Sequence, residues 1–170
     1  RKLILYSIVT TMIMGVGLFF TYNNARMLAT GMDAIFSNNK YLSELNNSVT
    51  NLHSILENFL STNHSDSLKD YYKFSGELRM TGEAMSQRRD LAESGLLLKD
   101  IGNMIITYLD SADAAVSAKR GRDIESYISH YTDASETFEY ITININKLTL
   151  NQFDENTRGY TMISGRVNLI

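Results

Sequence analysis

The sequence predicts an all-α protein: an up-down-up-down four-helix bundle whose long first and fourth helices are continuous with membrane spans. Three observations carry that prediction. Apolar residues recur in steps of three and four along almost the whole chain, the spacing that keeps them on one helix face. Proline is absent from 170 residues, where average usage would place about eight, and a chain without proline favours long helices and short connections. The stretch from Leu3 to Phe20 carries no charge, and at 1.5 Å per residue its roughly 18 residues reach about 27 Å, close to the hydrocarbon thickness of a bilayer.

The first element is therefore a membrane helix over residues 1–22. It is too long for the apolar core of a signal peptide, and Thr21-Tyr22-Asn23-Asn24 offers no small-x-small cleavage site. Arg1 and Lys2 favour a cytoplasmic start, which places the remainder outside. Ser7, Thr11 and Gly15, four residues apart, form a small-residue stripe suited to helix packing. The same helix is expected to run outward to about Thr62. Its stripe is Leu28, Gly31, Ile35, Leu42, Leu45, Val49, Leu52, Leu56 and Phe59, interrupted by Asn38 and Asn39.

Residues 61–66, STNHSD, read as a turn, with Ser65 or Asp66 as the cap of the second helix. That helix carries Leu68, Tyr71, Tyr72, Leu78 and Met85 and fades near Gln87-Arg88-Arg89-Asp90. The third runs through Leu97, Leu98, Ile101, Met104, Ile105, Tyr108, Leu109, Ala112, Ala115 and Val116 to Lys119-Arg120-Gly121, basic residues then glycine, a common helix end. Asp123 caps the fourth, with Ile124, Tyr127, Ile128, Tyr131, Ala134, Phe138, Ile141, Ile145 and Leu148 as its stripe. Leu52, Ile105, Phe138 and Ile141 are expected in the shared core. Residues 23–166 then form the extracytoplasmic four-helix-bundle domain, and residues 167–170 open a second span. Helices one and four outrun the other pair, so they would form a two-helix stalk, with polar interruptions at Asn38, Asn39, Gln152 and Asn156. A stalk of two helices buries little surface, which invites a second copy and a homodimer.

Composition removes several classes of function. Without cysteine there is neither a disulfide framework nor a thiolate metal site. The net charge is −3, and more acidic outside the anchor, which argues against nucleic-acid binding. No phosphate loop, nucleophile elbow or paired-histidine metal motif occurs, so no catalytic residue, metal site or cofactor is expected. His53, His64 and His130 are the candidates for a metal or pH-sensing cluster, against a reading as solvated histidines. Tyr71, Tyr72, Tyr127 and Tyr131 are candidates to line a polar–aromatic pocket between helices, or simply pack at the core boundary. Arg79, Arg88 and Arg89 in helix two, and Arg120 and Arg122 in the turn before helix four, are candidate bidentate donors to an anionic ligand, or ordinary surface arginines.

One resemblance is carried by residues 97–148. The run LLKDIGNM at 97–104 leads into Thr107-Tyr108-Leu109, then Arg120-Gly121-Arg122-Asp123, the Tyr127 to Tyr131 step, and Tyr140-Ile141 with Ile145 and Leu148. This texture resembles the extracellular helical sensor region of YesM-like bacterial sensor histidine kinases. The resemblance implies a signal-sensing domain on a Gram-positive exterior, a second span, a homodimer, an extracellular ligand or partner protein, and a kinase whose catalytic residues lie elsewhere. Two other readings share the architecture: the ligand domain of a methyl-accepting chemotaxis receptor, and a membrane-tethered structural spacer. The region beyond the second span, a kinase core or a methylation-region coiled coil or neither, separates the three.

Overall fold

The computed structural model describes the backbone of residues 2–87 and 93–167, and the side chains of residues 6, 11, 12, 14–23, 26, 39–87 and 95–152. Among the described residues four α-helices succeed one another, α1 (Lys2–Thr62), α2 (Ser65–Ser86), α3 (Glu93–Gly121) and α4 (Ile124–Val167). No strand occurs among the described residues. The chain divides into two compact units, residues 1–40 and residues 41–170.

In the first unit the large apolar side chains that are described face solvent. Tyr6, Met12, Met14, Val16, Leu18, Phe19, Phe20 and Tyr22 are 57–74% exposed. Thr21 Oγ1 donates back to the Gly17 carbonyl at 2.9 Å, and a Cβ on Gly15 would meet only open space. Ser7, the third member of the small-residue stripe, and Leu28, Gly31 and Ile35 have side chains outside the described set. Among the described residues no helix is long and apolar enough to cross a membrane.

The second unit holds the core. From α1 it takes Leu42, Leu45, Val49, Leu52, Leu56 and Phe59, each almost completely buried, as a stripe of three- and four-residue steps requires. From α3 it takes Ile101, Ile105, Tyr108, Leu109, Ala112, Ala115 and Val116. On α4 the inward line is 127, 131, 134, 138, 141, 145 and 148, alternating steps of four and three, the heptad spacing of bundle cores. Ile128 falls one residue, about 100°, off that line and is exposed, and Ile124 opens the helix at 70% exposure. Both were expected in the stripe. Phe138 also departs from expectation, being only partly buried, whereas Leu52, Ile105 and Ile141 are buried.

The helix α2 lies against α3, and α3 against α4. The α2–α3 contact is closest at two glycines. A Cβ on Gly102 would stand 2.7 Å from the Gly82 carbonyl oxygen, the Met85 Cβ and the Ser86 nitrogen, and one on Gly82 would stand 2.9 Å from Ile105 Cγ2. Only residues without a side chain let the two backbones meet there.

The turns obey local chemistry. Asn63, at φ 57, ends α1 in the left-handed conformation, with its N–H bonded to the Phe59 carbonyl at 2.7 Å, a common C-terminal cap for asparagine. His64 takes the extended cap position without a side-chain bond. The cap is thus neither Ser65 nor Asp66, because Asn63 and His64 supply the whole turn and Ser65 is already helical. Arg122, at φ 61, ends α3. Its N–H reaches Lys119 O at 3.2 Å and that of Asp123 reaches Ala118 O at 3.0 Å, the paired bonds of a Schellman ending. The left-handed residue is therefore Arg122, and Gly121 remains in the helix. Asp123 caps α4 as expected, accepting from the Ser126 N–H at 3.1 Å and from its hydroxyl at 2.7 Å. Those bonds to Ser126 hold the Asp123 carboxyl below its ordinary pKa.

Candidate functional site

The candidate side chains fall into three places. The first is a polar lock between α2 and α3. Tyr71, wholly buried, donates its hydroxyl to Asp113 Oδ1 at 2.8 Å. Arg79 reaches Asp110 Oδ1 at 2.9 Å and Asp113 Oδ2 at 3.0 Å. Burial alone would disfavour the charged guanidinium, but the bonds to Asp110 and Asp113 outweigh it and raise the Arg79 pKa. Burial and the same Asp113 push the Tyr71 phenol far up, so it stays a donor. Arg79 has its fork filled from within the chain, as a cross-link between helices.

The second place is the exposed α3–α4 turn, which carries Arg120 and Arg122. No bond among those described joins them to Arg79 or to the tyrosines. Arg88 and Arg89 lie outside the described residues.

The third is a groove between α1 and α4. Its upper part, about 540 Å³, is lined by Ser54, Glu57, Asn58, Leu60, Ser61, Tyr127 and Tyr131. A second part, about 480 Å³, adds Thr50, His53, Ser135, Phe138 and Glu139. The two share Ser54, Glu57 and Tyr131 and so are continuous. Aromatic rings run along it as a ladder. Tyr127 and Tyr131 stack with centroids 6.4 Å apart. Tyr131 is followed by His53 at 6.2 Å, and His53 by Phe138 at 4.1 Å and nearly parallel. The Tyr131 hydroxyl donates to Glu57 Oε1 at 2.9 Å. Burial first, then that carboxylate, raise the Tyr131 pKa.

His53 is the rung that ties the groove to the core. Its Nδ1 lies 3.4 Å from the hydroxyl of buried Tyr108 on α3, and its Nε2 lies 3.7 Å from Glu57. Burial lowers its pKa more than Glu57 raises it, so the ring is neutral near pH 7. His64 is exposed in the first turn, and among the described residues no three metal-ligating side chains gather.

The four tyrosines do not share one pocket. Tyr71 is sealed between α2 and α3, Tyr72 faces solvent, and Tyr127 and Tyr131 line the α1–α4 groove. Sequence reasoning did not single out Glu57 or Phe138 as groove residues. It also missed a separate cleft of about 530 Å³ between α1 and α2, where Tyr41, Phe74 and Glu77 are prominent. Of the expected relay residues, Asn39 and Gln152 bury side-chain carbonyl oxygens that lack a hydrogen-bond partner. Asn38 and Asn156 have side chains outside the described set.

No protein-family model matches the sequence, and no curated protein is similar to it. In fold the chain is similar to one chain of the solved XylFII–LytSN complex. The match has a TM-score of 0.63 at 14% identity and covers 70% of this chain and 98% of that one. That likeness is one of fold, and it extends over nearly the whole of the other chain.

Proposed function

We propose that this chain is the extracytoplasmic sensing domain of a two-component sensor histidine kinase, anchored in the cell membrane by its N-terminal helix. The single observation that carries the reading is the composition of the groove walls. They are α1 and α4, the two longest helices, with 61 and 44 residues. A ligand or partner held there touches both at once and favours whichever arrangement of the pair it fits better. Only that difference in fit transmits anything, since a ligand suited equally to both arrangements shifts no population.

Other observations support the remaining parts. The uncharged run 3–20 and its solvent-facing Met, Leu and Phe side chains suit a lipid environment, because a soluble helix normally keeps a polar face. The up-down-up-down arrangement fits the two-residue turns and the α2–α3 and α3–α4 contacts. The fold likeness to a chain of the XylFII–LytSN complex supports a sensor role and a protein partner on the outside. The homodimer, the second span and the Gram-positive exterior rest on the resemblance in residues 97–148. In this reading the relay is the stretch holding Asn38, Asn39, Gln152 and Asn156. Asn39 and Gln152 each keep an unmade hydrogen bond, and packing weakened by an unsatisfied polar group accommodates two arrangements of similar energy.

Two measurements test the proposal. Reporter fusions at Asn63 and Arg120 should both report an exterior location, and a cytoplasmic signal from either removes the topology. In membranes carrying the full-length protein, Tyr131→Ala and Gln152→Leu should each displace basal or stimulated autophosphorylation. Wild-type output from both would make the groove and the relay passive and the sensor reading wrong.

A further inference from the structure

We propose that the α1–α4 groove binds an organic ammonium group, seated on its aromatic ladder and held by Glu57 and Glu139. The inference rests on the groove as the sensing site and names the chemistry it would take. Its lining holds two carboxylates and neither lysine nor arginine. His53, the remaining base, does not compensate them, because burial keeps it neutral. Glu57 is a charge available to solvent, with its side chain 54% exposed, and Glu139 is exposed as well.

The rings complete the chemistry. Faces of tyrosine and phenylalanine attract cations through the ring quadrupole. Tyr131 is fixed beside the carboxylate by its own hydrogen bond to Glu57, so ring and charge are presented together. The outermost rung, Tyr127, is already taken by the Lys119 ammonium 4.8 Å from its centroid, so the ligand's place is beside Tyr131 and Phe138, next to Glu57 and Glu139. An anion would meet two like charges here, with Arg79 occupied between other helices and Arg120 and Arg122 outside the lining. Among the described residues His53, Glu57 and Glu139 do not gather into a group that could hold a bare divalent metal. A quaternary or primary amine, with its charge spread over an apolar surface, fits carboxylate and ring at once.

The test uses choline as the probe on the full chain in neutral detergent, with its uncharged isostere 3,3-dimethylbutan-1-ol as control. The ring resonances of Tyr127 and Tyr131 are followed by NMR. Choline should shift them saturably with a dissociation constant in roughly the millimolar range, as suits an open site. Glu57→Gln, an exposed substitution that leaves the core intact, should weaken binding about fivefold, and the isostere should bind no better than that variant. Equal binding of the isostere, an unchanged constant in Glu57→Gln, or no saturable shift would each overturn the proposal. If choline fails while Tyr131→Ala still alters kinase output, the ammonium site is refuted and the sensor reading stands.

Discussion

The α2–α3 contact and the α1–α4 groove are built on opposite principles. Between α2 and α3, glycines bring backbones together and Tyr71, Arg79, Asp110 and Asp113 form a bonded network across the contact. Between α1 and α4, the residues that could have sealed the seam are half-buried rings and exposed carboxylates, and a groove remains. The difference assigns labour. A pair that is close-packed resists rearrangement, because interiors tolerate little change in volume. A pair that meets across an open groove can alter its spacing at small cost, and a ligand can reach it. Under the proposed sensing function, the α2–α3 pair is the frame and the α1–α4 spacing is what a ligand alters.

Deleting one aromatic ring from each contact breaks that comparison most directly. Tyr71→Ala removes a wholly buried ring and should cost about 4 kcal/mol, within the usual span for large aromatic deletions. Phe138→Ala, on the groove, removes a ring that is only partly buried and should cost about 1–2 kcal/mol, scaled from the value of complete burial. Denaturant titration of the two variants measures both. Equal losses would mean that the groove side is as tightly packed as the lock, and the frame-and-shift picture would fail.

The glycine crossing comes next in size. Gly102→Ala pushes a methyl group into the backbone of α2 and should destabilise by about 3 kcal/mol, the upper part of the overpacking range. Gly76→Ala is its counterpart on the exposed side of α2, where a Cβ meets nothing. It should stabilise by about 0.5–1 kcal/mol through helix propensity alone. Opposite signs from the same substitution in thermal melts would confirm a close approach at one glycine only. A neutral Gly102→Ala would show that α2 and α3 can separate there.

These features were unequally legible before the fold was known. The core stripes were readable because burial imposes a period, as in Leu42, Leu45, Val49, Leu52 and Leu56. The helix ends were readable to within a residue where a cap side chain does the work, as at Asp123. Arg122 was not, since nothing local distinguishes a left-handed arginine from a helical one. The Gly82–Gly102 crossing and the Arg79 fork join residues about 20 to 34 positions apart on different helices, and no periodicity encodes which faces meet. The groove was half legible. Tyr127 and Tyr131 stood out by type, but Glu57, Ser54 and Ser135 look like any solvated flank beside a stripe until the neighbouring helix is placed.

The smallest expected effect concerns acid, and it sharpens the comparison through His53. The folded protein holds this imidazole below its ordinary pKa, by burial first and against the pull of Glu57. Tyr108 and Tyr131 also face the ring, and neither titrates in this range because burial raises both phenols. The unfolded chain therefore binds the proton more readily than the folded one, and stability must rise with pH across the interval between the two values. The contribution is complete above about pH 6.5, the unperturbed histidine value, and is lost as pH falls through the lower folded value. Protonation would charge a ring stacked on Phe138 and wedged against Tyr108, so the α1–α4 seam should loosen first. Between pH 7 and 5, stability of the wild type should decline more steeply than that of His53→Gln, and amide exchange should quicken around residues 50–57 and 131–138 before it does along α2. If the two pH profiles run parallel, His53 is not the acid-sensitive group. If exchange instead quickens first along α2, the frame and the moving part have been assigned the wrong way round.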